Sequence, residues 1–341
     1  MVDNPLAPLC LFRYYFAMST VQDVLAFLHI HEDTYVSGQL IAQNLGISRS
    51  AIWKAIELLR DEGHSIDAVT NKGYRLMPNL DVLDKNRLET LLGGFPVHLF
   101  DTIDSTNRFA KQLAAEGSCH GTVVVSASQS QGRGRLGREF SSPKGGLYMS
   151  IILRPRCKTE EALLVTSAAA VAVARAVEKV CNLELGIKWV NDLFFRKRKV
   201  CGILTEGVID FEAGVLSSLV VGIGLNYSTP SAAFEANLRS VVTSLYDGPS
   251  QVPPFLDANV LVAEIVRTVV SLSDLLPDRS FLQEYRDRSL VLGNTVSVVQ
   301  AKKTKTALAL EIDDDAHLVV EYGDGSIESL GTGEISIRLD V

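Results

Sequence analysis

The spacing of apolar residues divides this chain into a helical beginning, a mixed middle and a strand-rich end. Helical spacing runs over 21–30 and then through a second stripe formed by Ile52, Ala55, Ile56 and Leu59. Short apolar runs bounded by Gly and Pro predict strands at Thr122–Val125 and Leu147–Leu153. After residue 290 short strands alternate with turns, so we expect an α+β protein of several folding units.

The helix start and stop signals within residues 19–78 predict a helix-turn-helix. Ser37 is the expected N-cap of a short helix, which Gly46 ends. Ser48 caps a longer helix that runs to Glu62, and the second apolar stripe is its inner face. The segment 78–84 that follows this unit is predicted to be a linker.

A hairpin after these helices predicts a wing. The runs Ile66–Val69 and Tyr74–Leu76 flank the turn Asn71-Lys72-Gly73. The predicted DNA contacts lie at the outer face of the second helix and in the turn: Arg49, Ser50, Trp53, Lys54 and Lys72. A winged helix that only docks proteins is the alternative, because this unit holds more acidic than basic residues.

The stretch Asp104-Ser105-Thr106-Asn107 predicts the start of an amphipathic helix through Ala115. Ser105 is its expected N-cap. Exposed hydroxyl and N–H groups at a helix start suit a small polar ligand, but capping alone explains Ser105 equally well.

The loop between the two predicted strands combines glycines with arginines. They are Gly132, Arg133, Gly134, Arg135, Gly137 and Arg138. Glycine lets a ligand approach the backbone and arginine binds phosphate or carboxylate, so the loop predicts a flexible cradle for an anion. A dinucleotide fingerprint is excluded because a strand follows instead of a helix, and a Walker loop because it lacks Lys-Ser/Thr. A solvated basic loop remains the alternative.

Two later stretches carry further candidate chemistry. Lys188 lies inside an apolar strand, where it needs a negative partner, either a ligand or a structural salt bridge. The basic turn Arg196–Lys199 is most simply solvated. The glycines of Leu219–Asn226 would let a ligand lie against bare backbone, or would serve dense strand packing.

Composition narrows the class of protein. The 341 residues are 47% hydrophobic and 21% charged, which indicates a globular protein of two or three domains. A net charge of −7 confines any DNA contact to a local patch. The five cysteines form no C-x-x-C pair, so we expect buried thiols in a reducing cytoplasm. No histidine motif predicts a metal site.

Two apolar stretches are not assigned to membranes. Residues 1–18 lack a basic start and a clear cleavage site, so we expect a disordered extension ahead of a true start at Met18. Leu163–Val180 is interrupted by Arg175, Glu178 and Lys179 and predicts a buried helix.

Four motifs in this order resemble those of repressor-type biotin–protein ligases. They are D-S-T-N at 104–107, G-R-G-R at 132–135, K-W-x-N-D at 188–192 and G-x-G-x-N at 222–226, with Val190 where the family usually has proline. The resemblance covers about residues 19–341. It implies a winged helix-turn-helix at 19–78, a mixed-sheet α/β catalytic domain of the biotin/lipoate ligase type at 84–289, and an SH3-like small β-barrel at 290–341.

The same resemblance assigns site residues. It implies that Lys188, Arg133 and Arg135 are catalytic. D-S-T-N is the turn that meets the ureido ring in the family, and the implied biotin set is Ser105, Thr106, Asn107, Gln129, Arg133, Gly134, Arg135 and Lys188. The implied adenylate set is Gly132, Arg138, Asn191 and Asn226. Some members place a tryptophan in the segment matching 228–245, but this chain has only Trp53 and Trp189, so adenine stacking is not carried over.

The implied reaction has two steps. Biotin and ATP, with Mg²⁺, give biotinyl-5′-AMP, and a lysine of the biotin carboxyl carrier protein of acetyl-CoA carboxylase then takes the biotinyl group. The resemblance also implies operator binding by a homodimer, formed at the edges of the central sheets, with biotinyl-5′-AMP as corepressor. A lipoate or octanoyl ligase and a non-catalytic biotin sensor are the alternatives, and the intact D-S-T-N and G-R-G-R motifs argue against the first.

Overall fold

A computed structural model describes most of the chain. The described residues are 20–28, 30–31, 34–61, 66–76, 82–154, 162–210, 215–276, 278–300, 303–331 and 336–339. The expected extension at 1–18, most of the predicted linker, Cys10 and Cys157 lie outside them. Contacts within the chain separate two compact units, Met1–Asn79 and Leu80–Val341, and each is considered by itself.

The first unit is a helix-turn-helix followed by a hairpin. It contains α1 (residues 20–28), α2 (Gly38–Leu45), α3 (Arg49–Asp61), β1 (Ile66–Val69) and β2 (Gly73–Leu76). Ser37 Oγ accepts a hydrogen bond from Leu40 N at 3.1 Å, and Gly46 ends α2 with a φ of 67°. The predicted cap and stop are confirmed, because both depend on residues that are neighbours in the chain.

The predicted inner stripe of α3 forms the core of this unit. Ile52, Ile56 and Leu59 are fully buried in one cluster with Ile41 of α2. The opposite face of α3 exposes the residues predicted to contact DNA, which are Arg49, Ser50, Trp53 and Lys54. The exposed position of these side chains is the one that contact with a major groove requires.

The wing is held against Tyr35. The Tyr35 hydroxyl donates a hydrogen bond to Asp67 on β1, and the Arg75 guanidinium on β2 lies 4.6 Å from the Tyr35 ring centroid. The hydrogen bond raises the pKa of Tyr35 and lowers the pKa of Asp67. Lys72 lies exposed in the turn with its ammonium 5.6 Å from the same ring centroid, so the wing has a defined position within this unit.

The second unit is built on a mixed sheet of seven strands. Across the sheet they are β3 (Val97–Phe100), β4 (Val123–Ser126), β5 (Gly146–Leu153), β9 (Val215–Asn226), β8 (Arg198–Asp210), β7 (Asp192–Phe195) and β6 (Gly186–Lys188). The helices of this unit are α4 (Lys85–Leu92), α5 (Thr106–Ala115), α6 (Ala162–Cys181), α7 (Ala258–Asp274) and α8 (Phe281–Asp287). The β3–β4 pair is parallel, with α5 as its crossover, and the other named pairs are antiparallel.

Alternation along the strands gives this sheet two different faces. Val125 and Ile151 belong to the large core that includes α6 and α7, whereas Val124 and Ile152 pack with α5. Helix α6 is buried along most of its length, as its Ala/Val-rich sequence predicts. Within the described parts of the chain, we find no helix that combines the length and apolar character needed to cross a membrane.

A five-stranded antiparallel sheet follows α8. Its order is β13 (Ile327–Leu330), β12 (Leu318–Tyr322), β11 (Lys303–Ile312), β10 (Thr295–Gln300) and β14 (Ser336–Leu339). The predicted strand-rich end is therefore confirmed. Arg286 Nε of α8 donates to Ile312 O at 2.7 Å, which ties this sheet to the helix before it.

The end of the predicted linker is already part of the second unit. Asp84 N donates to Asn259 Oδ1 at 2.8 Å, and the Asp84 carboxylate accepts from Arg87 N at 2.7 Å. Asp84 is thus the N-cap of α4, a helix that was not predicted from the sequence.

The expectation that the cysteines are buried is wrong for one of them. Cys119 is exposed, because it lies in the turn after α5, whereas Cys181 and Cys201 are buried. Burial raises the pKa of the Cys181 thiol to about 11, which makes that thiol a poor nucleophile.

Candidate active site

A cavity of about 350 Å³ opens on the α5 face of the seven-stranded sheet. Its wall combines the start of α5, the β4–β5 loop, the β6–β7 segment and parts of β8 and β9. The predicted ligand residues on this wall are Ser105, Thr106, Asn107, Gln129, Arg133, Gly134, Arg135, Arg138, Lys188 and Asn191. Stretches far apart in the chain therefore meet in a cavity of the size that small ligands occupy.

Glycines form the floor of the cavity. Gly202 and Gly224 are paired across β8 and β9, and Gly222 lies next to them on β9. A Cβ on Gly202 would lie 2.8 Å from the Phe140 ring, and a Cβ on Gly222 would lie 2.7 Å from Asn107 Cγ. These glycines make room for two side chains of the protein itself, which is the packing alternative for their presence.

The start of α5 is more buried than its sequence predicts. Ser105, Thr106 and Asn107 are 1%, 4% and 5% exposed, so the expectation of exposed hydroxyls is wrong. The helix lies on the sheet, and its first turn faces β5 and β8. The predicted N-cap is confirmed, since the Ser105 side chain accepts a hydrogen bond from Arg108 N.

Gln129 connects the start of α5 with the loop. Its Oε1 accepts hydrogen bonds from Thr106 N at 2.9 Å and from Thr106 Oγ1 at 3.0 Å. Its Nε2 donates to Ser142 Oγ at 2.9 Å. A backbone N–H only donates, so these partners set which end of the Gln129 amide faces Thr106.

The loop between β4 and β5 folds back on itself, and we call its residues 129–142 the arginine arm. Three backbone hydrogen bonds close the arm at 3.0, 2.9 and 2.8 Å: Gln129 N to Ser142 O, Phe140 N to Gly132 O and Gly134 N to Arg138 O. Its arginines line the cavity, so they are not merely a solvated surface. The glycine-rich loop is therefore an ordered element, and its three arginines line one cavity of the size of a small ligand.

Arg135 reaches the opposite wall of the cavity. Its Nη1 donates to Asn191 Oδ1 at 3.3 Å, and Asn191 Nδ2 donates to Ile203 O at 2.7 Å. Burial lowers the pKa of the Arg135 guanidinium, and the nearby Asp192 carboxylate opposes that shift. Arginine stays protonated near neutral pH, so Arg135 supplies a partly desolvated positive charge.

Lys188 lies at the end of β6, where neighbouring elements hold its segment. Three hydrogen bonds of 2.8, 2.9 and 2.9 Å do so: Ile187 N to Arg288 O, Trp189 Nε1 to Ala316 O and Tyr285 OH to Val190 O. The Trp189–Val190 peptide bond is cis. Lys188 Nζ lies 5.6 Å from the Phe194 ring centroid, and the side chain is half-buried on the cavity wall.

Positive charge dominates this cavity although the whole chain is acidic. Cationic residues on the wall are Arg133, Arg135, Arg138, Lys188 and Lys199, and the carboxylates are Glu139 and Asp192. Lys199 Nζ lies 2.7 Å from Asp192 Oδ1, so these two charges offset one another. The surplus of cations suits a site where two anions must be brought together.

Two predicted ligand residues do not line the cavity. Gly132 accepts the Phe140 backbone hydrogen bond inside the arginine arm, and Asn226 Nδ2 donates to Thr243 O at 3.0 Å. Phe140 and Glu206 also had no predicted role. Their contacts join strands and loops that are distant in the chain, which local patterns do not reveal.

Known families match both units. The model of the Biotin/lipoate A/B protein ligase family matches residues 99–226, and an HTH domain model matches residues 20–75. The bifunctional ligase/repressor BirA of Bacillus spizizenii is 33% identical over 323 residues, covering 89% of this chain and 94% of that protein. BirA of Escherichia coli is 29% identical over 306 residues, covering 89% of this chain and 92% of that protein.

A solved structure shares the fold over most of the chain. The biotin protein ligase from Aquifex aeolicus, in complex with biotin and ATP, superimposes with a TM-score of 0.61 at 24% identity. The match covers 72% of this chain and 99% of that one.

Proposed function

This chain belongs to the family of bifunctional biotin ligase/repressors, and we propose that it activates biotin with ATP and transfers it to a carrier protein. The observation that carries the proposal is one cavity lined by the D-S-T-N helix start, the arginine arm and Lys188. Among the described residues, no histidine or cysteine lines this cavity, and the reaction needs no side-chain nucleophile.

The first half-reaction joins two anions. A biotin carboxylate oxygen attacks the α-phosphorus of ATP, pyrophosphate leaves, and biotinyl-5′-AMP forms. Lys188, Arg133 and Arg135 offset the negative charge that converges there, an electrostatic role for preorganised cations. Biotin lies against the start of α5, Gln129 and Gly134, while Arg138 and Asn191 bind the adenylate. Gly132 and Asn226 lie behind the cavity wall and support the residues that bind the adenylate.

The second half-reaction makes an amide. The amine of a lysine on the biotin carboxyl carrier protein of acetyl-CoA carboxylase attacks the acyl carbon of the adenylate, and AMP leaves. The mixed anhydride hydrolyses if water enters, so the arginine arm covers it until the acceptor arrives.

Mg²⁺ enters with the nucleotide in this proposal. The described residues contain no group of three His, Cys, Asp or Glu side chains that would hold a metal ion. Mg²⁺ commonly keeps several waters and binds through substrate phosphates with one or two carboxylates. It neutralises phosphate charge, and this chain's part is to bind the phosphates with the arginine arm.

The first unit is proposed to repress the operon of its own biotin genes. A homodimer, formed at sheet edges when biotinyl-5′-AMP is bound, places two winged helices on an operator. The proposed domains are 19–78 for DNA binding, 84–289 for catalysis and 290–341 as an SH3-like barrel. Support for the barrel is the closing five-stranded sheet.

A direct assay tests the ligase. Full-length protein with ATP, labelled biotin and the carrier domain is expected to give labelled carrier and one AMP for each biotin transferred. Parallel reactions with lipoate and octanoate are expected to give no transfer. Equal or better transfer of either acid would assign the chain to the lipoate branch, and binding of biotin without AMP release would leave a sensor.

Replacing Arg135 with alanine should weaken biotin binding and release adenylate. The side chain lines the cavity as a partly desolvated cation, and losing one charged hydrogen bond to a ligand costs ~1.5–3 kcal/mol, or at least ~10-fold in affinity. Free biotinyl-5′-AMP released per turnover, without acceptor, is the measurement. Arg133→Ala is expected to leak as well.

Arg267→Ala is the matched control, because Arg267 is an exposed arginine on α7 that pairs with Glu264. Its adenylate release should equal that of the unmodified protein. If both arm variants release adenylate at the rate of the unmodified protein, the arginine arm only binds anions and does not cover the adenylate.

A further inference from the structure

Glu206 lies behind the cavity and is tied to its polar end. Its Oε1 accepts a hydrogen bond from Lys111 Nζ at 2.6 Å, and its Oε2 accepts one from Asn107 Nδ2 at 2.8 Å. Lys111 and Asn107 are four residues apart on α5, so they share one helix face. The carboxylate thus bridges the two side chains, and only Asn107 lines the cavity.

Glu206 sets the direction of the Asn107 amide. The Asn107 NH₂ group faces Glu206 Oε2 and, at 3.3 Å, Leu204 O, and both of these oxygens only accept hydrogen bonds. Turning the amide over would place Asn107 Oδ1 against two acceptors. Asn107 Oδ1 is therefore directed to Ser150, whose Oγ lies 2.6 Å away.

Four oxygen atoms then follow one another at hydrogen-bond distance. Their separations are 2.6, 2.8 and 3.0 Å, from Asn107 Oδ1 to Ser150 Oγ, Thr106 Oγ1 and Gln129 Oε1. The two amide oxygens carry no hydrogen, and each hydroxyl carries one. Three contacts share two hydrogens, so one close oxygen–oxygen contact has none.

We propose that Glu206, held by Lys111, is a positioning residue that keeps this end of the cavity one hydrogen short, so that it binds a ligand N–H group. Two oxygens in close contact without a hydrogen between them repel one another, and a ligand N–H that donates to one of them offsets that repulsion. Ser150 is fully buried, so the ligand meets Thr106, Asn107 or Gln129. Resting on the function proposed above, the donor is a ureido N–H of biotin.

Glu206→Gln tests the proposal in the full-length enzyme. The NH₂ group of the new glutamine can donate to Asn107 Oδ1, so the Asn107 amide can turn over. Its own NH₂ group then donates to Ser150 Oγ, and the contact that lacked a hydrogen gains one. The KM for biotin is expected to rise ~10-fold, while kcat and the KM for ATP stay within ~2-fold. An unchanged KM for biotin, or equal rises in both KM values, would overturn the proposal.

Glu264→Gln is the matched control. It makes the same chemical change in an ion-paired carboxylate, whose Oε1 lies 2.7 Å from Lys179 Nζ on the other face of the sheet. Both KM values should equal those of the unmodified enzyme. A rise in the KM for biotin as large as that of Glu206→Gln would show that carboxylate removal acts through general loosening.

Ligand chemistry supplies a second arm. Biotin with a methyl group in place of one ureido hydrogen should bind the unmodified enzyme much more weakly. Glu206→Gln should lose clearly less on the same methylation, because its site is no longer short of a hydrogen. If methylation at either ureido nitrogen lowers the affinity of the two enzymes by the same factor, Glu206 and the ureido N–H are not coupled and the proposal is rejected.

Lys111→Met replaces the first variant if Glu206→Gln does not fold. Lys111 is one-third exposed, and its loss frees one carboxylate oxygen without filling the cavity. A smaller rise in the KM for biotin alone is expected, and no rise counts against the proposal. Inactivity of the unmodified enzyme with biotin would instead refute the proposed function, so the two failures are distinct.

Discussion

Replacing Lys188 with alanine is expected to lower the rate of biotinyl-5′-AMP formation by ~10²–10³-fold, which corresponds to ~2.7–4 kcal/mol of lost transition-state stabilisation. The ammonium group lies on the cavity wall, and the hydrogen bonds of Ile187, Trp189 and Val190 hold its backbone. None of those bonds uses the Lys188 side chain, so the fold should survive. The measurement is pyrophosphate release in a single turnover, together with the melting temperature.

Lys197→Ala is the control for this experiment. Lys197 is exposed at the β7–β8 turn, carries the same charge and does not line the cavity. Its adenylation rate should match that of the unmodified enzyme. Adenylation by Lys188→Ala within ~3-fold of normal would remove the electrostatic role assigned to Lys188.

Deleting residues 1–77 is expected to abolish specific operator binding and to leave ligation intact. The first unit has its own core around Ile52 and Ile56, and the second unit contains the whole cavity. Without the winged helix, affinity should fall from the specific range of ~10⁻⁸–10⁻¹¹ M by at least ~10³-fold. A gel-shift series on the region upstream of its own biotin genes, with and without biotinyl-5′-AMP, is the measurement.

Point variants separate DNA contact from loss of the unit. Lys54→Ala removes a cation from the exposed face of α3 and should weaken binding and reduce the salt dependence by about one ion. Lys85→Ala, an equal charge change in the second unit, should leave binding unchanged. If full-length protein gives no adenylate-dependent complex from low to moderate salt, the repressor role fails and the ligase stands alone.

Local patterns determined much of the secondary structure. The cap at Ser37, the stop at Gly46, the N-cap at Ser105 and the strands at 122–125 and 147–153 needed only nearby residues. Helix α4 has equally local signals, because Asp84 caps it and Gly93 ends it in a left-handed conformation. The linker predicted at 78–84 includes this capping residue, so the start of the helix was assigned to the linker.

Residue types and their order also determined which side chains to consider. Ten of the twelve ligand residues implied by the family resemblance line one cavity. Their roles remain predictions. The sequence could not predict that Gly132 and Asn226 lie off the cavity wall, because a motif does not show which of its residues face the ligand.

Only the tertiary structure decided how the polar end of the cavity is built. The burial of Thr106 and Asn107 depends on α5 lying against β5 and β8, and Phe140 over Gly202 depends on how the arginine arm folds back. The Glu206 contact joins residues 99 positions apart. Helix caps and hydrophobic periodicity involve residues that are close in the chain, so the sequence alone shows them. A hydrogen-bond network depends on strand register and helix docking, which bring distant residues together.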